Sequence, residues 1–354
     1  MSKFLSNELT SLEPYVPGEQ PQDFKYIKLN TNESPFPPSP KVVASLDPDI
    51  INSLRLYSDP ECKDCRSSIA NKYSVDADNV LLGNGSDEIL NFVFRAFCDK
   101  EIPVAFPDII YGFYEVFADL YGLHKNIIRV KEDLSIDFRD YLNIGCTIVI
   151  ANPNAPTGLA LNLEEIEAIV RSNPDNIVCI DEAYVDFGAD SAVSLIKTYD
   201  NLIVVQTFSK SRQLAGARLG MAFASKEIIN DLNTIRYSTN PYNINSLTLI
   251  AGKAAVEDSE YFAKTTAEII NIREHTKDEL IKRGFIVTDS ITNFLFVTHP
   301  DFSGKTLYTS LKKKGILVRH FEKPRIDDYL RVTVGKTEEM DAFLNAIDEI
   351  LSEK

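Results

Sequence analysis

The segment around Lys210 carries the clearest chemistry in the sequence. Lys210 follows the apolar run Leu202–Thr207, stands next to Ser209, and is followed on the same segment by Arg218. An amine held at the end of a buried strand can serve as a nucleophile or a base, and a guanidinium nearby can bind an anion. Lys210 alone could be an ordinary surface lysine, but the whole segment is far more specific than any of its parts.

A glycine turn at residues 83–88 offers a second candidate site. It follows the apolar run Val80–Leu82 and opens a predicted helix, for which Ser86 is a plausible N-cap. Free backbone amides at such a helix start, including those of Gly85 and Ser86, can bind a phosphate. A tight turn without a ligand is the alternative interpretation. A dinucleotide-binding fingerprint is excluded, because Glu88 stands at the third glycine position.

Two further apolar runs end in polar residues. The segment Asn152–Gly158, which includes Asn154, follows the run Thr147–Ala151, and Asp181 follows the run Ile177–Ile180. Taken singly, the first is a Pro- and Asn-rich loop and the second is a helix cap. Ligands of parallel sheets bind at the carboxyl ends of the strands, where all these residues are expected to lie.

The elements that must position these residues alternate along the chain. The predicted buried strands are Val80–Leu82, Ile102–Phe106, Thr147–Ala151, Ile177–Ile180 and Leu202–Thr207. Between them, Ser86–Ala96 and Leu163–Arg171 show helical spacing. This alternation predicts an α/β fold with a mainly parallel sheet between helices.

The chain is predicted to have three parts. Residues 1–30 form an irregular N-terminal arm, because prolines and a glycine break any helix there. Residues 31–240 form a large domain around the parallel sheet, and residues 241–354 form a smaller α+β C-terminal domain. The smaller domain is predicted from the helical region Asn245–Arg283, the strands Phe285–Val287, Phe294–Val297, Leu317–His320 and Leu330–Val334, and a final helix.

The composition excludes several classes of protein. Acidic residues outnumber basic ones by 52 to 37, and the net charge of −15 disfavours binding to nucleic acid or an anionic membrane. No apolar run approaches the roughly 18 residues needed to span a bilayer, and residues 1–18 do not form a signal peptide. Cys62 and Cys65 form a lone C-x-x-C far from the four histidines, which predicts free thiols and no metal site. A cytoplasmic location is the expectation.

Together these motifs resemble those of the fold-type I pyridoxal-phosphate aminotransferases. The resemblance rests on Ser209-Lys210 with Arg218, on Asn152–Gly158, and on Asp181-Glu182-Ala183-Tyr184, which occur in the family's order. It covers nearly the whole chain, because the segments 29–33 and 331–335 are similar to those of the histidinol-phosphate branch of the family. Ala155 departs from the family, in which a second asparagine is common, but that position is not a direct cofactor ligand.

The resemblance implies that pyridoxal 5′-phosphate is the cofactor. Lys210 would hold it as a Schiff base and move protons, while Asp181 would pair with its ring nitrogen. Asn154 and Tyr184 would hydrogen-bond its phenolic oxygen. The implied phosphate ligands are Gly85, Ser86, Thr207, Ser209 and Arg218, and Tyr111 would stack on the ring. Tyr57 would reach the cofactor phosphate of the neighbouring subunit, which implies a homodimer.

The resemblance also implies the substrates. The implied substrate contacts are Tyr15, Asn32, Tyr242, Arg319 and Arg331. The two arginines would let one pocket accept two anionic substrates in turn, an amino donor and a 2-oxo acid acceptor. The expected reaction is ping-pong transamination of L-histidinol phosphate and 2-oxoglutarate to imidazole acetol phosphate and L-glutamate. An aromatic amino acid aminotransferase, a threonine-phosphate decarboxylase and, more remotely, a non-catalytic cofactor-binding protein remain alternatives.

Overall fold

The computed structural model describes residues 2–21 and 23–353. The α-helices of this part of the chain are α1 (Pro40–Ser45), α2 (Pro48–Ser53), α3 (Lys63–Tyr73), α4 (Ser86–Phe97), α5 (Phe113–Leu120), α6 (Leu163–Ser172), α7 (Lys226–Thr239), α8 (Ser246–Glu257), α9 (Ser259–Lys282), α10 (Gly304–Lys313) and α11 (Thr337–Ser352). The β-strands are β1 (Ile27–Lys28), β2 (Val80–Gly83), β3 (Val104–Pro107), β4 (Lys125–Ile128), β5 (Thr147–Ala151), β6 (Val178–Asp181), β7 (Leu202–Thr207), β8 (Gly220–Ala224), β9 (Ile286–Val287), β10 (Phe294–Thr298), β11 (Ile316–Leu317), β12 (Arg319–His320) and β13 (Leu330–Thr333). Short 3₁₀ helices lie at Asn7–Leu9, Ala77–Asn79, Phe138–Tyr141, Val185–Phe187, Ala192–Lys197 and Ala215–Ala217.

The larger sheet has the strand order β2-β8-β7-β6-β5-β3-β4. Its strands from β7 to β4 are parallel to one another, and β8 runs antiparallel to both of its neighbours. The central strands are continuously apolar because both faces of the sheet are covered. Along β5, Ile148 and Ile150 belong to one hydrophobic core and Val149 to the core on the other face. The predicted α/β fold with a mainly parallel sheet is confirmed.

A smaller antiparallel sheet, β12-β13-β10-β9, lies in the C-terminal part of the chain. Helices α9, α10 and α11 contribute to its hydrophobic core, in which Leu307, Phe343 and Ile347 are fully buried. The N-terminal arm also reaches this region, because β1 pairs in parallel with β11 and places Ile27 opposite Ile316. The sequence does not predict β1, since a two-residue strand depends on a partner far along the chain.

The turn between β2 and α4 differs from the prediction at its N-cap. Gly85 is the N-cap residue, and its φ of +82° lies in the left-handed region that glycine adopts most easily. Ser86 is therefore the first helical residue rather than the cap. A side chain of α4 also stabilises the turn, because the Glu88 carboxylate accepts a hydrogen bond from the backbone amide of Asn84 at 2.6 Å.

Several other elements also differ from the sequence prediction. The helical region predicted at Asn245–Arg283 is two helices, because Asp258 interrupts it between α8 and α9. The strand predicted at Leu317–His320 is divided into β11 and β12, which pair with different sheets. Strands β4 and β8 are not predicted at all. None of the helices in the described ranges is long and apolar enough to cross a membrane.

Gly220→Ala should destabilise the fold through the turn that precedes α4. A Cβ at Gly220 would lie 2.5 Å from the carbonyl carbon of Gly85 and 2.5 Å from the amide nitrogen of Ser86. Because backbone atoms must move to relieve such a clash, the free energy of unfolding should fall by about 1–3 kcal/mol in urea denaturation. Gly216→Ala is the matched control, since its Cβ would meet no heavy atom within 4 Å. Equal midpoints for the two variants would contradict this account.

Candidate active site

The carboxyl ends of β5, β6 and β7 open into a cavity of about 530 Å³. Residues of the N-terminal arm and of the C-terminal part close its other sides. Of the residues that the sequence analysis selected, those lining this cavity are Tyr15, Asn32, Ser86, Tyr111, Asp181, Tyr184, Thr207, Ser209, Lys210, Arg218, Arg319 and Arg331. The fold therefore brings together residues as far apart in sequence as Tyr15 and Arg331.

Four of the selected residues do not line the cavity. Gly85 packs against Arg218, which does line the cavity, and a Cβ at Gly85 would come within 2.6 Å of the Arg218 guanidinium. Asn154 is 1% exposed and donates hydrogen bonds from Nδ2 to the Ile109 carbonyl and the Thr157 hydroxyl. Tyr57 and Tyr242 stack on each other at the surface, with ring centroids 4.4 Å apart.

Lys210 is a partly buried amine without a carboxylate partner among the described residues. Its Nζ donates to the carbonyl of Thr31 at 3.4 Å and lies 5.7 Å from the ring centre of Tyr184. Desolvation and, to a lesser extent, the nearby Arg331 guanidinium lower the pKa of Lys210 to about 8. An amine with this pKa can give up its proton near neutral pH and then act as a nucleophile or base.

Asp181 ends β6 as a buried carboxylate held by two donors. The hydroxyl of Tyr114 donates to Oδ2 at 2.7 Å, and the backbone amide of Ala183 donates to Oδ1 at 3.2 Å. Burial raises the pKa of Asp181 to about 6, while the Tyr114 hydrogen bond opposes this shift. Tyr114 is not predicted from the sequence, because its role depends on the contact between α5 and the end of β6.

One end of the cavity is built to hold an anion. Arg218 reaches it beside the first turn of α4, whose free amides favour negative charge. Its NH2 group pairs with Asp87 at 2.8 Å, and the Asp87 carboxylate also accepts from the Tyr111 hydroxyl at 3.0 Å. Asp87 was another residue that sequence reasoning missed, although it stands next to Ser86 in the glycine turn.

Two further cations, Arg319 and Arg331, line the cavity. Arg331 donates to the carbonyl of Asn30 at 3.1 Å, while its buried Nε has no hydrogen-bond partner in the described parts of the chain. The Arg319 guanidinium lies 5.6 Å from the ring centre of Phe321, and that of Arg331 lies 5.7 Å from the same ring. Because a guanidinium shielded from water favours a bound anion, these two arginines suit a carboxylate or phosphate.

Polar and aromatic side chains border these cations. Asn32 donates from Nδ2 to the hydroxyl of Tyr184 at 2.9 Å. Tyr15, on the arm, stacks on Phe113 with centroids 4.4 Å apart and meets Tyr111 edge-on at 5.8 Å. The arm thereby closes the cavity with an aromatic wall.

A partly buried lysine, a buried carboxylate and an anion-binding helix start at one edge of an α/β sheet are the parts that a fold-type I pyridoxal-phosphate enzyme requires. The model of the family "Aminotransferase class I and II" matches residues 25–347, and this chain belongs to that family. It is 51% identical to a histidinol-phosphate aminotransferase of Brachyspira hyodysenteriae and 47% identical to one of Clostridium botulinum, each alignment covering 99% of both chains.

A solved structure shows the same fold. The histidinol-phosphate aminotransferase of Sinorhizobium meliloti, in complex with pyridoxal-5′-phosphate, superposes with a TM-score of 0.90 at 23% identity. The match covers 100% of this chain and 99% of the other. The family model and the full-length relatives confirm the sequence-based assignments of family and enzyme class, and pyridoxal phosphate is the cofactor.

The local structure of the cavity fits this cofactor. The buried Oδ1 of Asn154 has no hydrogen-bond partner among the described residues, which leaves a hydrogen-bond acceptor for a bound group. Gly85 has no Cβ and so lets the Arg218 guanidinium come close to the start of α4, an arrangement that suits a phosphate. The buried carboxylate of Asp181 suits a protonated ring nitrogen.

Asp181→Asn should stabilise the cofactor-free protein at neutral and higher pH. Because the folded-state pKa of Asp181 is about 6, and the unfolded-state pKa is about 4, wild-type stability falls as pH rises between these values. The neutral amide avoids this loss. The free energy of unfolding should therefore exceed that of the wild type by about 1–3 kcal/mol near pH 8, with the difference vanishing near pH 4. Urea unfolding at both pH values measures this, and a pH-independent difference would contradict the assigned pKa.

Proposed function

We propose that this chain transfers the amino group of L-histidinol phosphate to 2-oxoglutarate, producing imidazole acetol phosphate and L-glutamate in histidine biosynthesis. The observation that carries this proposal is the pair Arg319 and Arg331, two cations that line the cavity without a carboxylate partner among the described residues. The full-length relatives named histidinol-phosphate aminotransferase support the same reaction.

The cofactor would be held by residues at the strand ends. Lys210 would bind it covalently, Asp181 would face the ring nitrogen, and Tyr111 would stack on the ring. Asn154 and Tyr184 would hydrogen-bond the phenolic oxygen. The groups that would donate hydrogen bonds to the phosphate belong to Gly85, Ser86, Thr207, Ser209 and Arg218. When bound, pyridoxal phosphate supplies a ring that withdraws electrons from the substrate's Cα and carries the amino group between the two substrates.

Three side chains would do the proton and charge chemistry. The Nζ of Lys210 would take the proton from substrate Cα and return it on the cofactor side, a task suited to its pKa of about 8. Asp181, ionised above about pH 6, would keep the ring nitrogen protonated. Tyr114 would hold Asp181 in place through its 2.7 Å hydrogen bond.

The substrate would lie between Lys210 and the two arginines. Arg331 would take the phosphate of histidinol phosphate or the α-carboxylate of glutamate, and Arg319 would help to hold the second anionic group. Tyr15 and Asn32 line the cavity and would exclude water from it. Tyr242 was predicted as a further contact, but within this chain it stacks on Tyr57 outside the cavity.

Three amine substrates distinguish the proposed reaction from its alternatives. Purified holoenzyme mixed with histidinol phosphate should convert the cofactor to its amino form, seen as a loss of its visible absorbance, much faster than with phenylalanine or threonine phosphate. The reason is that phenylalanine offers the two arginines no phosphate, and threonine phosphate carries an α-carboxylate in addition to its phosphate, whereas the phosphate is the only anionic group of histidinol phosphate. Fast conversion with phenylalanine alone would favour an aromatic aminotransferase, and loss of CO₂ from threonine phosphate would favour a decarboxylase. Absence of any conversion would support a non-catalytic protein.

We also propose that the active enzyme is a cytoplasmic homodimer with a large domain at residues 31–240, a small domain at 241–354 and an arm at 1–30. A cluster of exposed apolar side chains around α2 supports an interface there, because monomeric proteins seldom leave such patches uncovered. Ile51 is 50% exposed, Leu56 is 57% exposed and Tyr57 is 82% exposed. In such a dimer Tyr57 would extend towards the cofactor phosphate of the partner subunit.

Tyr57→Phe should weaken cofactor binding without changing the oligomeric state. Loss of one hydrogen bond to a phosphate should raise the dissociation constant for pyridoxal phosphate about tenfold in a fluorescence titration of the cofactor-free protein. Tyr237→Phe is the control, since Tyr237 is a nearby exposed tyrosine whose hydroxyl donates to the Pro60 carbonyl at 3.4 Å. Sedimentation of a monomer, or equal affinities for both variants, would count against the shared site.

A further inference from the structure

The segment Leu29–Glu33 places the Glu33 carboxylate in the cavity, and the proposed function assigns no role to this group. Among the described residues, three carboxylates line this cavity: Glu33, Asp87 and Asp181. Asp181 is engaged by Tyr114, and Asp87 is engaged by Arg218 and the Tyr111 hydroxyl. Glu33 is the third carboxylate, and it is paired with Lys28 through one of its two oxygens.

Only one oxygen of Glu33 is occupied. Its Oε2 accepts from the Nζ of Lys28 at 2.7 Å and from the hydroxyl of Thr31 at 2.9 Å. Its Oε1 makes no hydrogen bond with any described residue, and the side chain is 46% exposed. Lys28 and Thr31 therefore fix the carboxylate in place and leave one acceptor oxygen for a ligand.

Glu33 also lies close to the reacting amine. Thr31, which holds Glu33, also accepts the hydrogen bond from the Nζ of Lys210 through its carbonyl. Burial dominates the lowered pKa of Lys210, but the Glu33 carboxylate acts against it and raises that pKa. Burial likewise raises the pKa of Glu33, yet the Lys28 and Thr31 hydrogen bonds outweigh it and keep the net pKa below its usual value. Glu33 is thus an anion near the point where substrate Cα must bind.

The proposed amino donor presents a group that needs such an acceptor. In histidinol phosphate the amine-bearing carbon carries a phosphate on one arm and an imidazole on the other. If the arginines bind the phosphate, the imidazole N–H requires an acceptor, and the positive charge that the ring gains near its pKa requires an anion. Glutamate instead carries a carboxylate on the corresponding arm, which a fixed anion repels.

We propose that Oε1 of Glu33 accepts a hydrogen bond from the imidazole ring of the amino donor and so distinguishes histidinol phosphate from glutamate in the shared cavity. Arg319 offsets the repulsion when glutamate is bound, because its guanidinium lines the same space. This assignment rests on the proposed function, since it requires a substrate with an imidazole.

Glu33→Gln tests the assignment, because the two half-reactions of one active site should respond differently. The glutamine carbonyl can still accept from Lys28 and Thr31, while an NH₂ group replaces the free oxygen. In single-turnover experiments the second-order rate constant with histidinol phosphate should fall about 10- to 100-fold, as expected for loss of a charged hydrogen bond. The rate constant with glutamate should be unchanged or higher.

Glu322→Gln is the matched control. It removes the same charge from a side chain that lines the adjoining groove and not the cavity, so both half-reactions should keep their wild-type rates. Equal losses with both substrates in Glu33→Gln, or an unchanged rate with histidinol phosphate, would overturn the inference. Failure of the wild-type enzyme to react with histidinol phosphate would overturn the proposed function and this inference with it.

Discussion

The active site depends on the burial of charged groups at one edge of the large sheet. Asp181 is buried and Lys210 and Arg331 are partly buried, and among the described residues none of the three forms a salt bridge with an oppositely charged side chain. Burying an unpaired charge costs several kcal/mol, and the shifted pKa values of the lysine and the aspartate express that cost. In the proposed function the cofactor and substrate would partner these groups, so the same charges would favour their binding.

The rest of the molecule provides the rigidity that this arrangement requires. Asp181 is the last residue of β6 and Lys210 lies shortly after the end of β7, and both strands are buried on both faces, which restrains the backbone at the cavity. Arg331 lies on β13 of the smaller sheet, and Asn32 lies just after β1, which is paired to β11. The residues proposed to bind the substrate therefore belong to other elements than those proposed to bind the cofactor, and the cavity lies where these elements meet.

The sequence predicts some parts of this structure much better than others. The bounds of β5 and β7 are predicted correctly, because long apolar runs followed by polar residues are a strong local signal. Strand β8 is missed, because only its antiparallel pairing with β2 and β7 identifies it. Lys210 and Asp181 are found from motifs, whereas Tyr114 and Asp87 are missed because their roles depend on contacts across the fold. The free oxygen of Glu33 is likewise visible only in three dimensions.

The central claim is that the amine of Lys210 binds the cofactor. Reduction of the holoenzyme with sodium borohydride, followed by proteolysis and mass spectrometry, tests it most directly, because reduction makes the link between cofactor and amine permanent. The account predicts a pyridoxyl group on the peptide that contains Lys210 and on no other lysine. A label on another lysine, or no stable label after reduction of cofactor-loaded protein, would contradict it.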